Sequence, residues 1–183
     1  PLTITIMGVQ DSLTADWGGQ FDYYTGYDLT PDLPISVTDG RITKSMVVGD
    51  ISVTSVDMST KTVSGTSTTS PIFLEKNGNP PETIIPDETG NWSFTYSSLL
   101  PGEAGRAYVE DMDYDRTISY WNAPSPYFLV YLSDGRLEGW GWPVYGEVTA
   151  ALTDNPDLSW SKQADSNGIV SFYFREHPGF DVT

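Results

Sequence analysis

The sequence predicts an all-β protein built from small Greek-key sandwiches, and three observations lead to that prediction. Glycine (17 residues), proline (13 residues) and abundant serine and threonine accompany short apolar segments, none with the 3.6-residue period of a long helix. Several of these segments alternate apolar and polar residues, as half-buried strands do. One such strand occurs three times together with the turn before it, which indicates an internal repeat.

The repeated segment is clearest at Pro86–Gly102, PDETGNWSFTYSSLLPG. Asp87–Gly90 is a turn signal, because aspartate caps its own backbone and glycine supplies a positive φ. Aromatic residues then alternate with polar ones across Asn91–Tyr96, which predicts a strand. Aligned on their phenylalanines, the three copies are 73 (94 − 21) and 78 (172 − 94) residues apart: Phe21, Phe94 and Phe172.

The first unit, residues 1–48, is predicted to be the C-terminal part of a repeat. Residues 1–8, PLTITIMG, alternate aliphatic residues with threonine and form its first predicted strand. An aromatic strand, Phe21–Tyr24, follows the Asp16 turn. An Asp-Gly pair then separates two strands and predicts a hairpin: Ile35–Thr38 and Arg41–Val48.

The second unit, residues 49–121, is predicted to be one complete sandwich. About seven short strands lie in roughly 73 residues, with a turn every 8–12 residues. Ile51–Val56 is the clearest of them, because valine and isoleucine alternate with serine and threonine. The other predicted strands are Thr62–Thr66, Pro71–Lys76, Asn91–Tyr96, Arg106–Glu110 and Thr117–Trp121.

The third unit, residues 127–183, begins after a short proline-containing linker, residues 122–126. Leu137-Glu138-Gly139 aligns with Val63-Ser64-Gly65 of the second unit. The predicted strands of the third unit are Tyr127–Leu132, Leu137–Trp140, Glu147–Leu152 and Val170–Phe174.

This alignment leaves the first and third units incomplete. The first has no counterpart of Ile51–Ser67, and the third has no counterpart of Asp39–Val48. A sandwich that lacks strands exposes apolar faces and unpaired edges. We therefore expect either flanking sequence beyond these residues or strands supplied by neighbouring copies through β-augmentation.

Three motifs of the second unit together resemble a known family. Asp87-x-x-Gly90-x-Trp92-Ser93-Phe94, Leu100-Pro101-Gly102 and Val63-Ser64-Gly65 are similar to the bacterial immunoglobulin-like (Big-type) repeats of large cell-surface proteins. The resemblance implies tandem immunoglobulin-like Greek-key sandwiches, with an extracellular role in stalks, adhesins, sheaths or surface filaments. The motifs are turn and core positions, so they carry information on fold and almost none on activity.

Composition excludes several classes of partner. The 25 acidic and 9 basic residues give a net charge of −16, which repels nucleic-acid phosphates and anionic lipid surfaces. No segment approaches the roughly 18 apolar residues of a membrane span. We expect neither nucleic-acid binding nor membrane insertion. The acidic excess fits an extracellular setting and ordinary solubility equally well.

The acidic loop Glu110–Asp115 is the candidate metal site. Asp111, Asp113 and Asp115 could converge on one hard cation, and calcium binds six to eight oxygen atoms. The EF-hand pattern fails, because Arg116 stands where that loop requires glycine. The alternative is a solvated acidic hairpin that Arg116 partly neutralises.

A group of aromatic residues is the candidate binding site. Trp140 and Trp142 are predicted to share one side of a strand, with Tyr145 close behind. The second unit has Thr66 and Thr68 at the equivalent positions, so the fold does not require indoles there. If exposed, these rings would contact a glycan or a neighbouring subunit. The alternative is that they fill the core of the third unit or its junction.

The sequence offers no constellation for catalysis. His177 is the only histidine, which excludes a typical histidine-rich zinc site, and we expect it in a loop or on the surface. We therefore predict a non-enzymatic extracellular structural protein, a surface filament, sheath or stalk. It would assemble with copies of itself or neighbouring repeats, through sandwich packing or strand complementation. The alternative is an adhesin-type module that recognises a glycan or a protein receptor through an aromatic face.

Overall fold

The computed structural model describes residues 1–153 and 155–174, and within these ranges all regular elements are β-strands paired antiparallel. The prediction of an all-β protein is therefore confirmed. No helix long and apolar enough to cross a membrane occurs in the described ranges. The strands are β1 (Leu2–Ile6), β2 (Val9–Leu13), β3 (Pro34–Thr38), β4 (Thr43–Val47), β5 (Ser52–Asp57), β6 (Thr62–Thr66), β7 (Ile72–Lys76), β8 (Glu82–Ile84), β9 (Asn91–Thr95), β10 (Ala104–Glu110), β11 (Arg116–Asn122), β12 (Tyr127–Tyr131), β13 (Arg136–Trp140), β14 (Glu147–Leu152), β15 (Asn155–Gln163) and β16 (Val170–Tyr173).

The chain divides into two compact units. One unit comprises Pro1–Ser98 and Glu103–Asn122, and the other comprises Leu99–Gly102 and Ala123–Thr183. The first unit contains β1 to β11, and the second contains β12 to β16.

Strands β5 to β11 form one complete sandwich. One sheet has the order β5-β6-β9 and the other the order β11-β10-β7-β8. The first, second and fifth strands thus lie in one sheet, and the third, fourth, sixth and seventh in the other. This is the Greek-key arrangement of an immunoglobulin-like sandwich, with its fourth strand in the second sheet.

Two glycines allow tryptophans to pack directly on the backbone inside this sandwich. Gly65 lies opposite Trp92 in the β6–β9 pair, and Gly105 lies opposite Trp121 in the β10–β11 pair. A Cβ atom at either glycine would come within 2.6 Å of Cζ2 of the facing indole. Both indoles are buried, so each Gly–Trp pair is a fixed part of the core.

The β1–β4 sheet repeats half of that sandwich. Its strand order, β4-β3-β1-β2, corresponds strand for strand to the order β11-β10-β7-β8 of the complete sandwich. The predicted strand Phe21–Tyr24 is wrong, because these residues are not in a strand. Its counterpart β9 is paired only with β6. Among the described residues, no strand pairs with Phe21–Tyr24.

The last strands repeat the other half. The order β12-β13-β16 corresponds to β5-β6-β9, and the β14–β15 hairpin corresponds to β7–β8. Among the described residues, no strand corresponds to β10 or β11. The core of this part is formed by Val148, Ala164, Val170 and Phe172, with Leu137, Trp142, Ala150 and Trp160 packed against them.

Candidate functional site

A single type of aspartate turn recurs through the chain. At Asp87, one carboxylate oxygen accepts hydrogen bonds from the Thr89 hydroxyl (2.7 Å) and from the N–H groups of Thr89 (2.8 Å) and Asn91 (3.0 Å). Gly90 completes the turn with a φ of +82°. The Thr89 hydroxyl, followed by these backbone donors, lowers the pKa of Asp87 below its ordinary value.

The same turn occurs at Asp16 and Asp165. Each carboxylate accepts from the N–H groups two and four residues later, at 2.8–2.9 Å. The three aspartates are 71 (87 − 16) and 78 (165 − 87) residues apart. The first spacing corrects the phenylalanine alignment, because the turns match Phe21 to Trp92 and not to Phe94.

The acidic loop contains a fourth copy of this turn. Asp111 Oδ1 accepts from the N–H of Asp113 (3.1 Å) and of Asp115 (2.9 Å). Tyr114 occupies the glycine position with a φ of +70°, which is strained for a residue with a side chain. The Asp111 carboxylate therefore already has a structural role as the cap of the turn.

The other two predicted ligands, Asp113 and Asp115, share one cation, the Lys44 ammonium. Lys44 Nζ forms ion pairs with Asp113 and, at 3.2 Å, with Asp115. The hydrogen bond from Lys44 is the main reason that the pKa of Asp113 lies below its ordinary value, and the pKa of Lys44 is raised in return. Glu110 is paired with Arg116 at 2.6 Å. Four carboxylates thus have partners within the protein.

The three predicted ligands nevertheless lie together. One oxygen each from Asp111, Asp113 and Asp115 lies within 4.8 Å of the others. Calcium requires six to eight oxygen ligands, and here it would compete with the Lys44 ammonium for two of the three carboxylates. Calcium binding by this loop stays a prediction, and its strength would depend on how readily Lys44 leaves.

The structure separates Trp140 and Trp142, which were predicted to share one side of a strand. Gly141 between them has a φ of +73°, which ends the alternation of β13. The ring of Trp140 stacks on Tyr127, with centroids 6.2 Å apart and an angle of 22° between the planes. Trp142 lies over Gly139, where an added Cβ atom would be 2.5 Å from Trp142 Nε1. Tyr145 is exposed, so the three residues do not form one platform.

The burial of Trp142 has a packing explanation. Val170 lies opposite Gly139, as Trp92 lies opposite Gly65 in the complete sandwich. The smaller valine leaves room above the glycine, and the Trp142 side chain fills that space within the core cluster. Trp142 therefore replaces the missing indole of this repeat.

A different set of aromatic residues shares the outer face of the β12-β13-β16 sheet. Cross-strand pairing places Tyr127 beside Trp140 and Tyr131 beside Arg136. The Arg136 guanidinium lies 4.2 Å from the Tyr131 ring centroid and 3.3 Å from Glu138. We call the following residues the aromatic face: Tyr127, Leu129, Tyr131, Arg136, Glu138, Trp140 and Tyr173.

The complete sandwich has hydroxyl side chains on the equivalent face. The hydroxyl groups of Ser52 and Thr66 are hydrogen-bonded, with 2.8 Å between their oxygens. Those of Thr62 and Thr95 are hydrogen-bonded at the same distance. The fold therefore does not require aromatic residues at these positions. The sequence analysis missed Tyr127, Tyr131 and Tyr173, although the continuous apolar run of β12 was a visible signal. His177 lies outside the described residues.

No protein-family model matches the chain, and no curated protein matches it. Among solved structures, it is similar to a tetra-tandem repeat in the extending region of a large adhesion protein, at 16% identity with a TM-score of 0.30. That match covers 94% of this chain and 57% of the other. A Ca²⁺-stabilized adhesin with which an Antarctic bacterium reaches out and binds ice is 18% identical, with a TM-score of 0.27 and coverages of 93% and 55%.

A third similar structure is Bacteroides ovatus SGBP-B of a mixed-linkage glucan utilization locus, in complex with a mixed-linkage heptasaccharide. It is 12% identical, with a TM-score of 0.31, and the match covers 93% of this chain and 49% of the other. The chain thus spans less than two thirds of each of these structures. At these TM-scores the similarities carry no argument on function, which depends instead on the contacts described above.

Proposed function

We propose that the chain is a non-enzymatic extracellular structural repeat protein, of the kind found in surface filaments, sheaths or stalks. The observation that carries this proposal is the recurrence of one sandwich plan. The order β11-β10-β7-β8 recurs as β4-β3-β1-β2, and β5-β6-β9 recurs as β12-β13-β16. Repetition of a stable module suits a protein whose function depends on length and stiffness.

Contacts between the beginning of the complete sandwich, from Gly49 into β5, and its last strand support a role under tension. The N–H of Gly49 donates to Thr117 Oγ1 at 2.8 Å, and the N–H of Val53 donates to Ser119 Oγ at 3.2 Å. The two partners advance in the same direction along the chain, so β5 and β11 run parallel here. Pulling on the ends of the repeat would load these two hydrogen bonds in shear.

Single-molecule force extension of the chain, held by its two ends, tests this role. Unfolding of the complete sandwich should release about 25 nm in one step, from roughly 73 residues at about 3.5 Å each. Ser119→Ala and Thr117→Val should lower the force of that step. Ser93→Ala, which removes an exposed hydroxyl elsewhere in the same sandwich, is the control. Gradual extension without a step would contradict this role under tension.

The aromatic face favours a second candidate function, glycan recognition. Tyr127 and Trp140 offer two nearly parallel rings, and aromatic rings contribute large contact areas at binding surfaces. Arg136 and Glu138 beside them supply a donor and an acceptor for sugar hydroxyl groups. The contrast with the hydroxyl-lined face of the complete sandwich indicates that these rings serve something other than the fold.

A glycan array followed by calorimetric titration tests the second candidate. Tyr127→Ala should weaken binding of any glycan that the wild-type protein retains. Tyr120→Ala removes an exposed tyrosine ring from the other compact unit and serves as the control. Absence of any bound glycan, or equal affinity of the two variants, would remove this candidate and leave the structural role untouched.

A further inference from the structure

Strand β12 exposes an unbroken apolar segment. Among the described residues it pairs with β13 alone, so its other edge presents free backbone N–H and C=O groups. Four successive side chains are about half exposed: Tyr127 (53%), Phe128 (61%), Leu129 (45%) and Val130 (50%). An exposed apolar edge strand without charge or proline is a template for pairing with another chain.

The complete sandwich protects the equivalent strand in two ways. β5 alternates valine with serine and threonine and ends in Asp57, so its outer row is polar. It is also tied to β11 through the hydrogen bond from Val53 to Ser119. The β12 sequence, YFLVY, departs from this plan on its outer row, where Tyr127, Leu129 and Tyr131 stand in place of polar side chains. The departure requires an explanation beyond the fold itself.

We propose that β12 pairs with β12 of a second copy of this chain, antiparallel about a twofold axis at Leu129. This proposal rests on the proposed structural role, because it names the strand through which copies would assemble. The segment is nearly symmetric about its centre. Tyr127 would lie opposite Tyr131 of the second copy, Phe128 opposite Val130, and Leu129 opposite itself.

The charge distribution favours a second copy over a basic partner. The chain has a net charge of −16, so a basic protein would be drawn to its acidic surfaces, whereas β12 carries no charge. Pairing two uncharged strands avoids placing like charges opposite each other. The overall acidity still opposes association, so the dimer should strengthen as salt screens the charge.

The available area predicts a weak dimer. A fully exposed aromatic side chain offers about 150–250 Å², so five partly exposed side chains offer on the order of 400–500 Å² per copy. Two copies would then bury about 1,000 Å², the lower end for specific association. We expect a reversible dimer with micromolar affinity, extending the three-stranded sheet to six strands.

Sedimentation of the intact chain tests the proposal. The wild-type protein should dimerise reversibly, and more strongly at about 1 M salt than at 0.1 M. Leu129→Lys would oppose two ammonium groups at the axis, while in a single copy the new group faces Glu138. It should weaken association about tenfold or more. Ile85→Lys makes the same charge change at an exposed position in the other unit and should have no effect.

A second variant keeps the test independent of the stability of Leu129→Lys. The chain contains no cysteine, so Leu129→Cys introduces one thiol per copy. Facing residues of antiparallel strands lie about 4.5–5.5 Å apart between Cα atoms, which permits a disulfide. Oxidation should link Leu129→Cys copies covalently and leave Ile85→Cys copies largely unlinked.

Two results would overturn the proposal. One is a wild-type protein that stays monomeric at about 0.2 mM in high salt, well above a micromolar dissociation constant. The other is a dimer that Leu129→Lys and Ile85→Lys weaken equally. Neither result bears on the proposed structural role, because the force step of the complete sandwich arises from β5 to β11.

Discussion

Replacing Gly65 with alanine should destabilise the complete sandwich strongly. The new Cβ atom would lie 1.9 Å from the Ser52 carbonyl oxygen and 2.6 Å from Trp92 Cζ2. Trp92 is only 4% exposed, and the carbonyl belongs to the paired strand, so neither group can rotate away freely. Overpacking of this kind costs about 1–3 kcal/mol. The lower unfolded-state entropy of alanine offsets about 0.4–1 kcal/mol of that cost.

The net expectation is a loss of about 1–2 kcal/mol and a fall in Tm of about 5–10 °C. Urea denaturation and thermal melting, followed by tryptophan fluorescence and circular dichroism, measure both quantities. Gly26→Ala is the matched control, because nothing lies within 4 Å of its Cβ position and it needs no positive φ. If Gly65→Ala changes stability no more than Gly26→Ala does, the account of the Gly–Trp pair is wrong.

Three further predictions concern the aspartate turns. Tyr114→Gly should raise the free energy of unfolding by about 1 kcal/mol, because glycine adopts a positive φ without strain. Gly90→Ala should lower the free energy of unfolding for the same reason. Thermal melts in which both variants change stability in the same direction would contradict the shared turn. The pKa of Asp87 is lower in the folded state than in the unfolded state, where it is about 4. The Asp87 carboxylate therefore contributes its full stability above about pH 4, and this contribution is lost as the pH falls through the folded-state pKa. Asp87→Asn should therefore flatten the loss of stability below about pH 4, and an unchanged acid profile would refute this. Calcium should raise the Tm of Lys44→Met more than that of the wild type, and melts unmoved by chelator in both proteins would remove the calcium prediction.

Alternation of apolar and polar residues was enough to predict most strands. It failed in the same place in each repeat, at β2, β8 and β15, each of which pairs with the strand just before it at the edge of a sheet. These are outer strands with weak signals: β2 is almost entirely exposed, and β8 has only three residues. A strand that is held mainly by backbone hydrogen bonds to its neighbour leaves little trace in the side-chain pattern.

Two errors have the same physical origin, since a strand depends on its surroundings. Phe21–Tyr24 has a strand-like pattern but pairs with no strand among the described residues, and an unpaired segment gains no ladder hydrogen bonds. Trp140 and Trp142 have the spacing of a shared face, but the positive φ of Gly141 breaks the strand between them. The sequence pattern records the preference of a segment and not whether its partner is present.

The candidate site illustrates the limit of spacing arguments. The three aspartates of the acidic loop were predictable from their positions at alternate residues. Lys44 was not, because it lies 69 residues away from Asp113 and only the packing of β4 against the loop brings them together. The second role of Asp111, as the cap of a turn, was visible in principle, because Asp87 heads the same turn with glycine in place of Tyr114.

Electron microscopy of the native protein tests the central claim most directly, namely that repeated sandwiches serve a structural role. The account predicts thread-like or fibrous particles in which sandwich-sized domains follow one another. A discrete compact particle, accompanied by a hydrolytic activity that disappears when one carboxylate is replaced, would contradict it.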